Sequence, residues 1–178
     1  MNLSKNKIKY IQSLKDKKYR LEHGTFVAES NKLVADLLPV MKCQLLVATP
    51  DFVENHKELL KNAGELIITS GEEISRASFL KTPQQVIGVF YQPDYHVENI
   101  DIKNKLSLAL DGIQDPGNFG TIVRLADWYG IEDIFCSKDT VDIYNPKTIQ
   151  ATMGALARVR VHYTELEKLF TDNSDVPV

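Results

Sequence analysis

The chain has 178 residues, a formal net charge of −3, 43% hydrophobic and 25% charged residues, an ordinary globular balance with room for one large domain or two small ones. No window approaches the ~18 apolar residues of a membrane span, and the charged N-terminus lacks the apolar core of a secretory signal. Cys43 and Cys136 lie far apart and the four histidines are scattered, so no disulfide framework and no metal site at ligand spacing is expected, and a reducing cytoplasm is the expected compartment.

Ser4 is placed to cap a helix in which Ile8, Ile11 and Leu14 recur at helical spacing, running to about Arg20. Residues 1–20 hold seven Lys and Arg against Asp16 alone, a net +6 that leaves −9 for the remainder. Such an arm, ending in Lys17, Lys18 and Arg20, suits a nucleic-acid backbone; a solvated Lys-rich helix explains it equally well. After Gly24 the pattern predicts a strand at 25–28, a helix at 31–38 stopped before Pro39, and a strand at 44–48. An amphipathic helix at 51–62, a strand at 66–69, a helix at 71–78 and a strand at 85–91 follow. This alternation predicts βαβ units and a mainly parallel sheet.

Residues 92–99 have no apolar period and mark a domain boundary. The α/β pattern then restarts, with strands at 106–110, 134–136 and 157–161 and helices at 117–129, 146–153 and 165–170. A sheet of about three strands is marginal alone, so this second unit requires more chain, a partner subunit or packing from the first unit.

The densest run of residues that folding alone does not demand is 110–124, LDGIQDPGNFGTIVR. Asp115 is placed to cap a helix and Pro116 suits its first position. Gly120 within the first turns costs up to ~1 kcal/mol against alanine, which suits close approach of a backbone or a ligand. A helix start favours anions, phosphate included. Arg124 is expected to have a packed stem and a directed guanidinium, with an ion pair to Asp127 as the plain alternative. Walker, dinucleotide-binding and nucleophile-elbow motifs are absent.

The residues Asp111, Ile113, Asp115, Pro116, Asn118, Gly120, Ile122, Arg124, Ala126 and Gly130 resemble the first signature motif of the SpoU (TrmH-like) RNA ribose 2′-O-methyltransferases of the SPOUT superfamily. Asn145-Pro146-Lys147 and the stretch 151–156 are similar to the family's following segment. The stretch 20–29, RLEHGTFVAE, resembles the start of an accessory L30e-like RNA-binding domain, and Thr82-Pro83-Gln84 its end. Ser30 stands where many relatives have glycine, and Gln150 where many have a basic residue.

The resemblance implies an α/β protein: a basic helix with a small L30e-like domain at 1–95, then an incomplete SPOUT-type parallel-sheet domain at 104–178. It implies methyl transfer from S-adenosylmethionine to a ribose 2′-hydroxyl of rRNA or tRNA, in a homodimer whose site is built across a two-fold interface. The family assigns proton removal to the arginine at the position of Arg124. An arginine pKa above ~12 makes that awkward, so two roles stay open: an unusual base, or a phosphate clamp that orients the hydroxyl. Asn118 would hold the arginine or the ribose. RNA contacts are implied at Lys17, Lys18, Arg20 and Lys147. Two further signature motifs, which build the family's knotted cofactor pocket, do not occur here, so cofactor-binding residues stay unassigned and the chain reads as a truncated form. The competing expectations are a non-catalytic L30e-like RNA-binding module and a generic α/β ligand-binding protein.

Overall fold

The computed structural model describes residues 3–95 and 100–178; the expected boundary at 92–99 lies partly outside the described residues. The basic N-terminal segment is two helices rather than one. α1 (Lys5–Ser13) is capped by Ser4, whose Oγ accepts from the Lys7 N–H at 3.3 Å, and α2 (Lys17–His23) ends on Gly24 in the left-handed region at φ +59°. The chain turns at 14–16, and the carbonyls of Leu14 and Lys15 exposed by that turn accept hydrogen bonds from Arg20 Nη1 at 2.9 and 2.7 Å.

β1 (Thr25–Glu29), α3 (Asn31–Leu37), β2 (Cys43–Ala48), α4 (Pro50–Asn55), a 3-10 turn (Lys57–Asn62), β3 (Ala63–Ile68), α5 (Gly71–Ala77) and β4 (Val86–Tyr91) complete the first unit. Its sheet has the order β1-β4-β2-β3. The expectation of a mainly parallel sheet is corrected in this unit. β4 returns between β1 and β2 and pairs antiparallel with both, and only β2 and β3 are parallel. The helix expected over 51–62 breaks at His56, where φ is −131°.

The second unit contains β5 (Leu108–Leu110), α6 (Pro116–Trp128), β6 (Asp133–Cys136), α7 (Pro146–Thr152), a 3-10 turn (Ala155–Ala157), β7 (Arg160–Tyr163) and α8 (Leu166–Asp172). Its sheet, β5-β6-β7, is parallel throughout. The strand expected at 157–161 starts later because Met153 (φ 52°) and Gly154 (φ 94°) turn the chain first. The Arg160 N–H then enters the ladder by donating to the Glu132 carbonyl at 2.7 Å.

One continuous apolar core joins the two sheets: Phe26, Leu33 and Phe90 of the first belong to the same cluster as Phe119, Ile134 and Ile149 of the second. This supplies the packing that a three-stranded sheet lacks alone. All five residues of β1, an edge strand, are buried because α7 lies along it. Gln150 Nε2 donates to the Glu29 carbonyl at 2.7 Å, covering a backbone acceptor that the edge would leave open. A second cluster packs Val27, Val47 and Val89 against Ile11, Leu14 and Ile74.

Candidate nucleotide-side active site

The motif at 110–124 lies at the carboxyl edge of the parallel sheet, where βα loops converge and open α/β sheets bind ligands. Its loop interlocks with the one between β6 and α7. The Gly112 N–H, at φ +63°, donates to Ser137 Oγ at 2.8 Å, Gln114 Nε2 to the Asp139 carbonyl at 2.6 Å, and the Val141 N–H to the Ile113 carbonyl at 2.8 Å. Tyr163 Oη, at the end of β7, accepts from the Ile143 N–H and donates to the Val141 carbonyl, both at 2.7 Å. Burial pushes the Tyr163 phenol up, which keeps it a neutral donor.

Asp115 caps α6 as its position predicts, with Oδ1 accepting from the Asn118 N–H at 2.7 Å, and Pro116 occupies the first turn. Gly120 is explained by packing. A Cβ there would meet the Ala151 Cβ and stand 2.7 Å from the Thr148 carbonyl oxygen, so the glycine lets α6 lie on α7. The ligand alternative for Gly120 is therefore unnecessary.

Helical period splits α6 into two faces. Phe119, Gly120, Val123 and Ala126 are buried, whereas Gly117, Asn118, Thr121, Arg124, Leu125 and Trp128 are exposed. The expectation of a packed stem at Arg124 is corrected, because its neighbours on the buried face turn it outward. The alternative partner is also taken. Asp127 receives Arg158 in a two-pronged pair, Nε to Oδ1 and Nη2 to Oδ2, both at 2.7 Å. Among the described residues Arg124 has no hydrogen bond or ion pair. Asn118 and Arg124 thus share one exposed face, with apolar Leu125 (52% exposed), Trp128 (82%) and Tyr129 (75%) beside them.

The four expected RNA contacts divide. Lys17, Lys18 and Lys147 are exposed, with Lys18 Nζ 5.8 Å from the Tyr19 ring centroid. Arg20 is not on that surface, which corrects its expected role. It is 2% exposed and grips Asp142 of the β6–α7 loop through Nη2 at 2.7 Å and Nε at 3.1 Å. Asp142 carries no motif signal, and only the folded chain reveals it as Arg20's partner. Beside this pair the rings of Phe26 and Tyr144 lie 4.8 Å apart. The first unit is therefore tied to the loop that interlocks with the motif.

Burial pushes the thiols of Cys43 and Cys136 up to about 12, so neither is a ready thiolate nucleophile. Among the described residues no three His, Cys, Asp or Glu side chains converge on a metal-holding group, and no helix is long and apolar enough to cross a membrane.

Comparison with known proteins agrees with this geometry. Residues 5–88 match the MRM3-like substrate binding domain, and residues 105–176 match the SpoU rRNA Methylase family. The chain is 34% identical over 161 residues to rRNA methyltransferase 3, mitochondrial, of Xenopus laevis, covering 86% of this chain and 38% of that protein. It is 30% identical over 151 residues to the 23S rRNA (guanosine(2553)-2'-O)-methyltransferase RlmP of Bacillus subtilis, covering 84% of this chain and 58% of that one. The chain thus spans less than two thirds of these curated relatives. A putative RNA methyltransferase of the TrmH family from Porphyromonas gingivalis superposes with a TM-score of 0.85 at 36% identity, over 99% of this chain and 70% of that one. An AdoMet-bound rRNA methyltransferase from Sinorhizobium meliloti superposes at 0.84 with 31% identity, over 96% and 66%. Two interlocked loops over a parallel sheet, an N-terminal substrate-domain fold and these matches lead to one assignment: the chain belongs to the SpoU (TrmH-like) family of RNA methyltransferases, with the SPOUT-type fold.

Proposed function

We propose that this chain is the RNA-facing part of an rRNA ribose 2′-O-methyltransferase that uses S-adenosylmethionine. The observation that carries this reading is the exposed face of α6, where the side chains of Asn118 and Arg124 have no hydrogen bond or ion pair among the described residues. In this reading residues 1–95 grip the RNA, with Lys17 and Lys18 on its phosphates, and residues 104–178 present the ribose. Arg124 clamps the phosphate next to the reacting nucleotide and so aims the 2′-hydroxyl, and the Asn118 amide holds the ribose. A guanidinium clamp needs no loss of its own proton, which favours it over the role of base.

S-adenosylmethionine would supply the methyl group as a sulfonium. The polar cleft at the carboxyl edge does not by itself fit it. The cleft of about 560 Å³ at the carboxyl edge is lined by Asp111, Ser137, Lys138, Thr164 and Glu165, and Leu166 is its one apolar wall, too little to hold an adenine ring.

We further infer a homodimer. Leu125, Trp128 and Tyr129 form an apolar patch beside Arg124, which a second copy would cover while bringing its own surface to the site. A cytoplasmic place of work fits the two free thiols. The comparisons do not favour a non-catalytic RNA-binding module.

The test is transfer of labelled methyl from S-adenosylmethionine to rRNA by the whole protein carrying this chain. Arg124→Ala is expected to cut turnover by about a thousandfold, the scale of losing a charged group that acts on the transition state, while RNA binding stays within a few fold. Retained turnover would rule out both roles for Arg124.

A further inference from the structure

A second cleft opens where the two units meet, on the same edge as the motif. It has a volume of about 300 Å³ and is lined by Val27, Glu29, Phe79, Leu80, Pro146, Lys147 and Gln150. Pro146 and Lys147 start α7, directly after the loop that hydrogen-bonds to the motif. The cleft therefore continues the candidate active edge toward the first unit.

Its walls are built, not incidental. Glu29 is 3% exposed and turns its carboxylate inward: Oε1 accepts from the Phe79 N–H at 2.8 Å, and Oε2 accepts from the Ser78 hydroxyl. Burial raises the Glu29 carboxyl pKa against the lowering pull of those two bonds. The bonds fix the chain at Phe79, whose ring is half-buried and forms a wall beside Leu80. Gln150, bonded to the Glu29 carbonyl, closes the floor from the other unit. At the rim Lys147 is exposed and makes no ion pair among the described residues, and exposed Lys81 adjoins Leu80 in the chain.

We propose that this cleft is a subsite for one unpaired nucleotide of the RNA, its base against Phe79, Leu80 and Pro146 and its phosphate on Lys147. A slot with apolar walls at Val27, Phe79, Leu80 and Pro146, a cation at Lys147 and its one carboxylate, Glu29, held by Ser78 and Phe79 matches a base joined to a phosphate, the arrangement by which proteins hold splayed-out bases of single-stranded RNA. The volume lies at the small end of ligand sites, enough for one base rather than a stacked pair. The subsite adds a reader of a neighbouring nucleotide to a site that otherwise touches only ribose and phosphate. It rests on the RNA-methyltransferase reading above.

The experiment is fluorescence-anisotropy titration of this chain with labelled single-stranded oligoribonucleotides of about 12 residues, oligouridylate and oligoadenylate, and with a duplex of equal length. Single strands are expected to bind more tightly than the duplex. Phe79→Ala should weaken single-strand binding about tenfold, the scale of one lost base–aromatic stack, and Phe79→Trp should restore it, which a mere packing role would not. Lys147→Ala, on the surface, should reduce the salt slope for single strands by about 0.7. If Phe79→Ala and Lys147→Ala bind like the parent while a Lys17→Ala, Lys18→Ala double variant weakens binding, the subsite is wrong and the RNA reading stands. If the chain binds neither single strands nor duplex, both fall.

Discussion

Arg20 in α2 and Arg124 in α6 exchange the circumstances expected of them. Arg20, read as the end of a basic arm, is buried against Asp142 and two carbonyls; Arg124, read as packed, lies on an exposed face with no partner among the described residues. Every guanidinium brought out of water needs acceptors. Arg20 finds a carboxylate across the unit boundary and backbone oxygens at a helix break. Among the described residues Arg124 has neither, because Arg158 has taken Asp127. An arginine held by a buried carboxylate and backbone carbonyls supports the fold, and one on an exposed helix face with no partner among the described residues is available to a ligand.

The largest expected effect separates the two directly. Arg20→Ala breaks a buried pair and strands Asp142, so it should cost about 3 kcal/mol of unfolding free energy in urea. Arg124→Ala should stay within about 0.5 kcal/mol. Equal losses would erase the distinction between a structural and a ligand-facing arginine.

Gly120→Ala sharpens the same point within α6. The added methyl meets the Thr148 carbonyl at 2.7 Å, backbone that cannot swing aside. A loss of about 2 kcal/mol is expected, as for overpacked cores. A neutral result in thermal melts would mean that α6 and α7 do not lie this close, and the glycine would again need a ligand to explain it.

Ser30 offers the opposite sign. It lies at φ 100°, ψ 145°, a region that only glycine occupies comfortably, while its Oγ caps α3 by accepting from the Leu33 N–H at 3.4 Å. Relief of strain, about 1–3 kcal/mol, exceeds the few tenths lost when a serine cap becomes glycine. Ser30→Gly should therefore raise the melting temperature. A fall would show that the cap, next to the Glu29–Gln150 contact, matters more than the backbone.

The smallest effect concerns a third arginine, which holds its carboxylate at the opposite edge of the second sheet. Burial alone would raise Asp133, but bonds from Arg160 at 2.6 and 2.8 Å and from His162 at 2.8 Å outweigh it and hold its pKa below the usual carboxylate value. Burial pulls His162 down more strongly than Asp133 pulls it up. With both folded values depressed, stability is intact above the unfolded histidine value near ~6.5 and is lost as pH falls, first through His162 and then, below ~4, through Asp133. The first loss should vanish in His162→Gln, which keeps a donor but does not titrate. An unchanged acid profile in that variant would assign the loss elsewhere.

Much of this was legible in the sequence for local reasons. The Asp115 cap, Pro116, the break before Pro39 and the run of alternating strands and helices are set by residues within a few positions of each other. The split of the basic segment at 14–16 was not legible, since it depends on Arg20 filling the carbonyls that the turn exposes. Nor was the antiparallel place of β4, because apolar alternation tells which faces are buried but not which neighbour a strand joins.

By itself the sequence determined that this is an α/β member of the SpoU family with Asn118 and Arg124 in its first motif, because motif spacing is a local property of the chain. Only the tertiary structure decided which arginine is spent on the fold and which is free, that Gly120 serves helix packing, and that the units share one core and a cleft. Those outcomes depend on which acceptors and walls arrive from residues up to 122 positions away, as between Arg20 and Asp142, and no local pattern records such partners.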